Sequence, residues 1–242
     1  PLFLLPFYNP ILLAEQLATL DVISGGRITV INALGHDPAA FIAFGTTRRN
    51  RVSRFVETFE VMRLLLDQDN ITYKGIHYKI NDPISLNPKP LTRPLSMWIA
   101  GGAEPAIQRA AKMSDGWAVV PGWTPDLVKR GINVYRNALR QFERDEENMD
   151  IVLRRDTHLA PTSGAGHREA QTLFENGYRG FAAEELEQSL IIGGPSECIE
   201  YLENMQHAGV TQVLFRCALD EAEQALQTIQ VLGNDVLPHF RQ

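Results

Sequence analysis

The sequence has almost no cysteine. Cys198 and Cys217 are the only two in 242 residues. Their spacing matches no metal-binding pattern, and two thiols do not make a disulfide scaffold. A reduced, cytoplasmic setting is the expectation that follows. No apolar run approaches the roughly 20 residues that cross a bilayer, so no membrane segment is expected. A long basic block is missing too. The net charge is −6 with both signs interspersed, which implies neither a nucleic-acid nor an acidic-membrane partner. The one notable charged run, Glu143-Arg144-Asp145-Glu146-Glu147, reads as a solvated helix end. No residues group as a nucleophile–base pair or as a metal cluster, so no catalytic residue is assigned and no metal is expected. Leu2 to Leu5 lacks the charged region that precedes a signal peptide. It reads as the end of a strand whose beginning lies before Pro1.

What is present is apolar and periodic. Hydrophobic residues make up 44% of the chain, enough for a sizeable core. Asn9-Pro10 reads as the cap and first position of a helix that Gly25-Gly26 stops. Arg27 to Leu34 is a β-branched run suited to a buried parallel strand. A long helix is expected from near Thr47, with Val52, Phe55, Val56, Phe59, Met62 and Leu66 as its apolar stripe. Thr72, Tyr73, His77 and Tyr78 around Lys74-Gly75 read as a β-hairpin at 71–80. Further strands are expected at 97–100, 116–120, 151–160 and 210–216, separated by helical stretches. Repeated strand–helix alternation argues for a parallel sheet. A Rossmann-type sheet competes, but no glycine fingerprint follows the first strand. The expectation is a (β/α)8 TIM barrel that is incomplete here. About the first three β/α units are absent, because five strands fall short of the eight that close a barrel. Residues 1–242 then form one partial barrel domain, with the hairpin as an insertion at about 68–95.

Residues 97–117 carry the most information. Met97 to Ala100 runs into Gly101-Gly102, Pro105 suits a first helical turn, and Ile107, Ala110 and Ala111 recur at helical spacing. This is strand, glycine turn, helix. It sets backbone N–H groups and a helix N-terminus at a strand's carboxyl end, where folds hold phosphate. Glycines that only turn the chain satisfy the same pattern.

Three stretches together resemble the bacterial luciferase-like, flavin-dependent monooxygenase family. They are Asn9-Pro10 through Leu20-Asp21 with Ser24-Gly25-Gly26-Arg27, then Tyr73 to Gly102, then Ile192-Gly193-Gly194-Pro195 to Arg216 followed by Val236-Leu237-Pro238. The resemblance implies reduced FMN supplied by a separate flavin reductase, oxygen, and a small organic substrate. Relatives that use a deazaflavin and transfer hydride imply an alternative. So does the non-fluorescent flavoprotein of luminous bacteria, a shortened barrel that binds flavin without known catalysis. An inactive fragment is a further reading. Family members are often dimers, so a homo-oligomer is expected.

The resemblance implies that Ala100, Gly101, Gly102 and Ala103 lie against the cofactor, with glycine needed because a side chain would block the approach. His36 and Asp37 follow a strand's carboxyl end and join them as cofactor-side candidates; a solvated loop pair is the alternative. Arg154 and Arg155 are adjacent in one strand and so point to opposite faces. One of them can grip an anion at the barrel mouth while the other meets helices. His158 shares Arg154's side, as a ligand-side residue or a hydrogen-bonded structural histidine. Arg216 closes the last strand, at the end where barrels keep their sites. Trp123 is either a wall of the flavin or substrate site or a plain rim aromatic. Ser196 and Glu197 read as capping residues rather than a second phosphate cradle.

Overall fold

The computed structural model describes residues 2–175, 187–217 and 221–241. Two compact units divide the chain, residues 1–101 and 102–242.

Unit 1 contains β1 (Leu2–Leu4), α1 (Pro10–Ser24), β2 (Val30–Ala33), α2 (Pro38–Ala43), α3 (Arg51–Asp67), β3 (Ile71–Lys74), β4 (Lys79–Ile84) and β5 (Met97–Ala100). The α1 signals act as read. The Asn9 side chain accepts from the N–H groups of Ile11 and Leu12 at 2.9 and 3.3 Å, and Gly25 leaves the helix at φ 71°, where a Cβ would be strained. β2 lies between two parallel neighbours, with Leu2–Leu4 on one side and β5 on the other. The short N-terminal strand pairs with Ile31, Asn32 and Ala33, so β2 is no open edge.

The buried face of α3 starts later than the sequence suggests and takes in Val61 and Leu65 as well. Phe55, Phe59, Met62 and Leu66 are buried, whereas Val52 is exposed in the first turn, where the helix has not yet met the core. The hairpin forms as an antiparallel pair of its own, β3 with β4, and runs to Ile84 rather than to 80. Glu57 of α3 holds it. Its carboxylate accepts the backbone N–H groups of Ile76, His77 and Tyr78 at 2.8, 2.8 and 3.2 Å. Gly75 leaves room for that grip, since a Cβ there would stand 2.2 Å from Glu57 Oε2.

Unit 2 contains α4 (Glu104–Met113), β6 (Gly116–Val119), α5 (Pro125–Gln141), β7 (Asp150–Leu159), α6 (Ser163–Glu175), β8 (Ile191–Gly193), α7 (Pro195–Ala208), β9 (Gln212–Cys217) and α8 (Ala222–Val231). β7 is central and pairs in parallel with β6, β8 and β9. The three-residue β8 is an addition to the expected strands. Its brevity and its glycine end gave it no period-2 pattern. The expected helical pieces at 167–190 begin at Ser163, and part of them lies outside the described residues. The acidic run at 143–147 is not simply solvated. Arg144 turns back to donate to the carbonyls of Ala111 and Ser114 at 2.8 and 2.7 Å, which satisfies the C-terminal end of α4. Cys198 packs with Leu159, Ile191, Leu202 and Val236, and burial pushes its thiol up to about 12, so it is inert packing.

Candidate functional site

Parallel strands leave their functional residues at their carboxyl ends, where the loops gather. In unit 1 these ends are followed by Gly35-His36-Asp37 and by Gly101. Asp37 is occupied structurally, as the cap of α2 that accepts from Ala39 N–H at 3.0 Å. His36 beside it is exposed. Ala100 ends β5 and is half-buried.

In unit 2 the turn continues through Gly102 and Ala103 into α4. Ala103 is the cap residue and has no side-chain capping bond. Pro105 has no N–H and the N–H groups of Ala106 and Ile107 go to the Ala103 carbonyl, so of the first turn's amides the one at Glu104 is left for an outside acceptor, beside the partial positive charge of a helix N-terminus. Gly102 has a reason inside the protein. A Cβ there would meet Trp123 Cζ2 at 2.8 Å and Val120 Cγ2 at 2.9 Å. The other side of the Trp123 ring abuts Gly131 of α5, where a Cβ would stand 2.6 Å from Cζ3. Trp117 closes the group edge-on at 6.0 Å between ring centroids. Trp123 is thus a wedge seated between two glycines.

On β7 the two arginines part as alternation requires. Arg154 donates to Asp156 Oδ1 at 2.8 Å, and Arg216 of β9 donates to Asp156 Oδ2 at 3.1 Å. One buried carboxylate holds two partly exposed guanidinia side by side. Each guanidinium carries five N–H donors, so such a pair suits an anion or a polarised carbonyl. Arg155 faces the helices instead. It is 1% exposed and donates to Tyr201 of α7 and to the Trp123 carbonyl. His158 does not extend the charged pair among the described residues. It is buried, its Nε2 lies 2.8 Å from Glu169 Oε2, and Gln227 donates to the same carboxylate oxygen at 3.0 Å. That is the hydrogen-bonded, structural arrangement.

Asp156 escaped the sequence reading although its signal was there, since it stands two residues from Arg154 and so on the same face of a strand. The part played by Arg155 was not legible, because its partners are 32 and 46 residues away. At the start of α7, Glu197 takes the capping role by accepting from Gly194 N–H at 2.6 Å; Ser196 is exposed. Among the described residues no group of His, Cys, Asp and Glu could hold a metal, and no helix is long and apolar enough to cross a membrane.

Comparison with known proteins extends these observations. The family model described as luciferase-like monooxygenase matches residues 3–212. The chain is 26% identical to an FMNH(2)-dependent dimethylsulfone monooxygenase of Pseudomonas putida, over 97% of this chain and 72% of that protein. It is 22% identical to an F420-dependent glucose-6-phosphate dehydrogenase of Amycolatopsis mediterranei, over 97% of this chain and 76% of that one. Among solved structures it superimposes on the monooxygenase RslO1 of Streptomyces bottropensis with a TM-score of 0.81 at 21% identity, over 99% of this chain and 76% of that one. The architecture is the α/β, mostly parallel one of these barrel enzymes, in a shorter chain.

Proposed function

Because the chain belongs to the luciferase-like monooxygenase family, we propose that it is an FMN-dependent, two-component monooxygenase acting on a small organic substrate. Flavin-dependent oxidoreduction is common ground among its relatives; the choice of reduced FMN with oxygen follows the dimethylsulfone monooxygenase likeness. The observation that carries the reading is the donor set of unit 2. An anionic flavin needs N–H donors and positive charge for its phosphate, and the start of α4, with the Glu104 amide and the helix dipole behind Gly102-Ala103, offers them. Glu104, in the first turn, is the one opposing charge there. Arg154 and Arg216, held by Asp156, offer donors to a polar or anionic substrate group.

When bound, reduced FMN supplies the activation of oxygen, and the protein's part is to orient, desolvate and stabilise charge. Asp156 fixes the guanidinia before substrate arrives, so little reorganisation accompanies charge development. A separate flavin reductase and a homo-oligomeric state belong to the same reading. A deazaflavin enzyme that transfers hydride is the second reading, supported by the F420-dependent relative.

Ala103→Asp tests the phosphate assignment without disturbing packing, because Ala103 is exposed and Asp is a better helix cap. The variant is expected to fold at least as well as the parent. It should bind FMN tenfold or more weakly, about 1.4 kcal/mol, and riboflavin, which has no phosphate, as before. Unchanged FMN affinity would remove α4 from the site.

A further inference from the structure

A guanidinium taken out of water loses much hydration, and a carboxylate usually compensates it. Arg155 is compensated otherwise. Among the described residues its donors go to neutral oxygens: Nε to Tyr201 Oη at 2.5 Å, Nη2 to the Trp123 carbonyl at 2.7 Å, and Nη1 to the Arg154 carbonyl at 3.2 Å. A positive charge therefore sits within the unit, one atom behind a tyrosine hydroxyl.

Tyr201 is turned to use that charge. Its oxygen accepts from Arg155, so its own hydrogen must point elsewhere. Among the described residues that hydrogen has no acceptor. Burial raises the phenol above its ordinary range, and Arg155 opposes this only in part; the hydroxyl stays a donor at neutral pH. The guanidinium polarises it, which strengthens the bond it can give.

Tyr201 belongs to the lining of a cavity of about 460 Å³, a size typical of small-molecule sites. Phe174, Leu190, Ile191 and Ile192 form its apolar walls. Its acidic and basic groups are Glu187, Glu197 and His167. Glu187 is exposed, where solvent screens it. Glu197 is already engaged, by Gly194 N–H, by Ser163 and by His167 at 3.5 Å. Burial raises its carboxyl, but these contacts outweigh that and hold it below its ordinary value. The cavity is formed by α6, β8 and α7. Among the described residues its lining shares none with the Arg154–Asp156–Arg216 cluster.

We propose that this cavity is a second binding site, for a small molecule with an apolar body and a carboxylate that receives the Tyr201 hydroxyl. A preformed apolar pocket with one oriented donor backed by a fixed charge selects against a cation and for an anionic oxygen. The site is independent of the flavin reading and is tested with no flavin present.

The probes are hexanoate and, as its cationic counterpart, hexylamine, titrated calorimetrically into the purified chain while the methyl resonances of Ile191 and Ile192 are followed. Hexanoate is expected to bind and to shift both isoleucines; hexylamine is expected not to. Tyr201→Phe removes one oxygen and should weaken hexanoate about tenfold or more; it also takes the acceptor of Arg155 Nε, so a lowered melting temperature accompanies it. Ile192→Trp should abolish binding by filling the space, and it decides the question if the phenylalanine variant does not fold. The proposal is overturned if hexanoate fails to bind the parent, if hexylamine binds as well, or if either folded variant binds hexanoate as the parent does.

Discussion

Trp123 occupies a slot that exists only because residues 102 and 131 lack side chains. A Cβ at either position would stand under 3.0 Å from ring atoms of tryptophan, closer than packing allows without displacement. Overpacking of this kind costs about 1–3 kcal/mol. Gly102→Ala is expected to lower stability by that amount in urea denaturation, and the loss should shrink in a Trp123→Leu background to the part that Val120 Cγ2, at 2.9 Å, accounts for. An equal loss in both backgrounds would mean that the contact is not the cause. A branched residue at 102 is for the same reason a poor probe of cofactor contact, since it disturbs the protein before any ligand arrives. Single residues were legible where the signal is local. Asn9 and Gly25 cap and stop α1 as read, because capping needs only neighbours in the chain. Arg144, Arg155 and Glu57 were not, because their partners come from other elements, and no local rule specifies which carbonyl or amide will be in reach.

At the scale of elements, the hairpin β3–β4 is tied to α3 by several side chains, Ser53, Thr58 and Glu60 among them, and the amides of its turn by one, Glu57. Three backbone N–H groups converge on the Glu57 carboxylate, and hydrogen bonds to a charged group contribute about 1.5–3 kcal/mol each. Glu57→Ala leaves those donors without their partner in a partly buried turn. A loss of at least about 3 kcal/mol is expected, concentrated locally, with faster amide hydrogen exchange at Ile76, His77 and Tyr78. Unchanged exchange at these three amides would show that the turn is held by its own backbone. Strand positions were readable to within a few residues because buried parallel strands are continuous apolar runs. The exception follows from length. β8 has three residues, too few for a period to declare itself, whereas β1, as short, was read at Leu2 to Leu5 and is what keeps β2 from being an edge.

For the whole molecule, alternating strands and helices predicted a parallel α/β architecture, and both units have parallel strands with helices between them. The single partial domain expected from the sequence corresponds here to two compact units. The candidate site was legible only in part. The strand ends were found because barrel and open-sheet folds alike collect function there. Which of their residues serve ligand and which serve packing was hidden, since Asp37 as a cap, His158 as a hydrogen-bonded support and Trp123 as a wedge are tertiary facts.

The central claim, that this chain binds FMN in preference to a deazaflavin, is tested most directly by titrating the purified chain in parallel with FMN and with F420 while following tryptophan fluorescence. Saturable quenching by FMN, with F420 at least tenfold weaker or about 1.4 kcal/mol poorer, is the predicted result. Tighter binding of F420 would make the chain a hydride-transfer relative instead. Quenching by neither would contradict a flavin site in this chain.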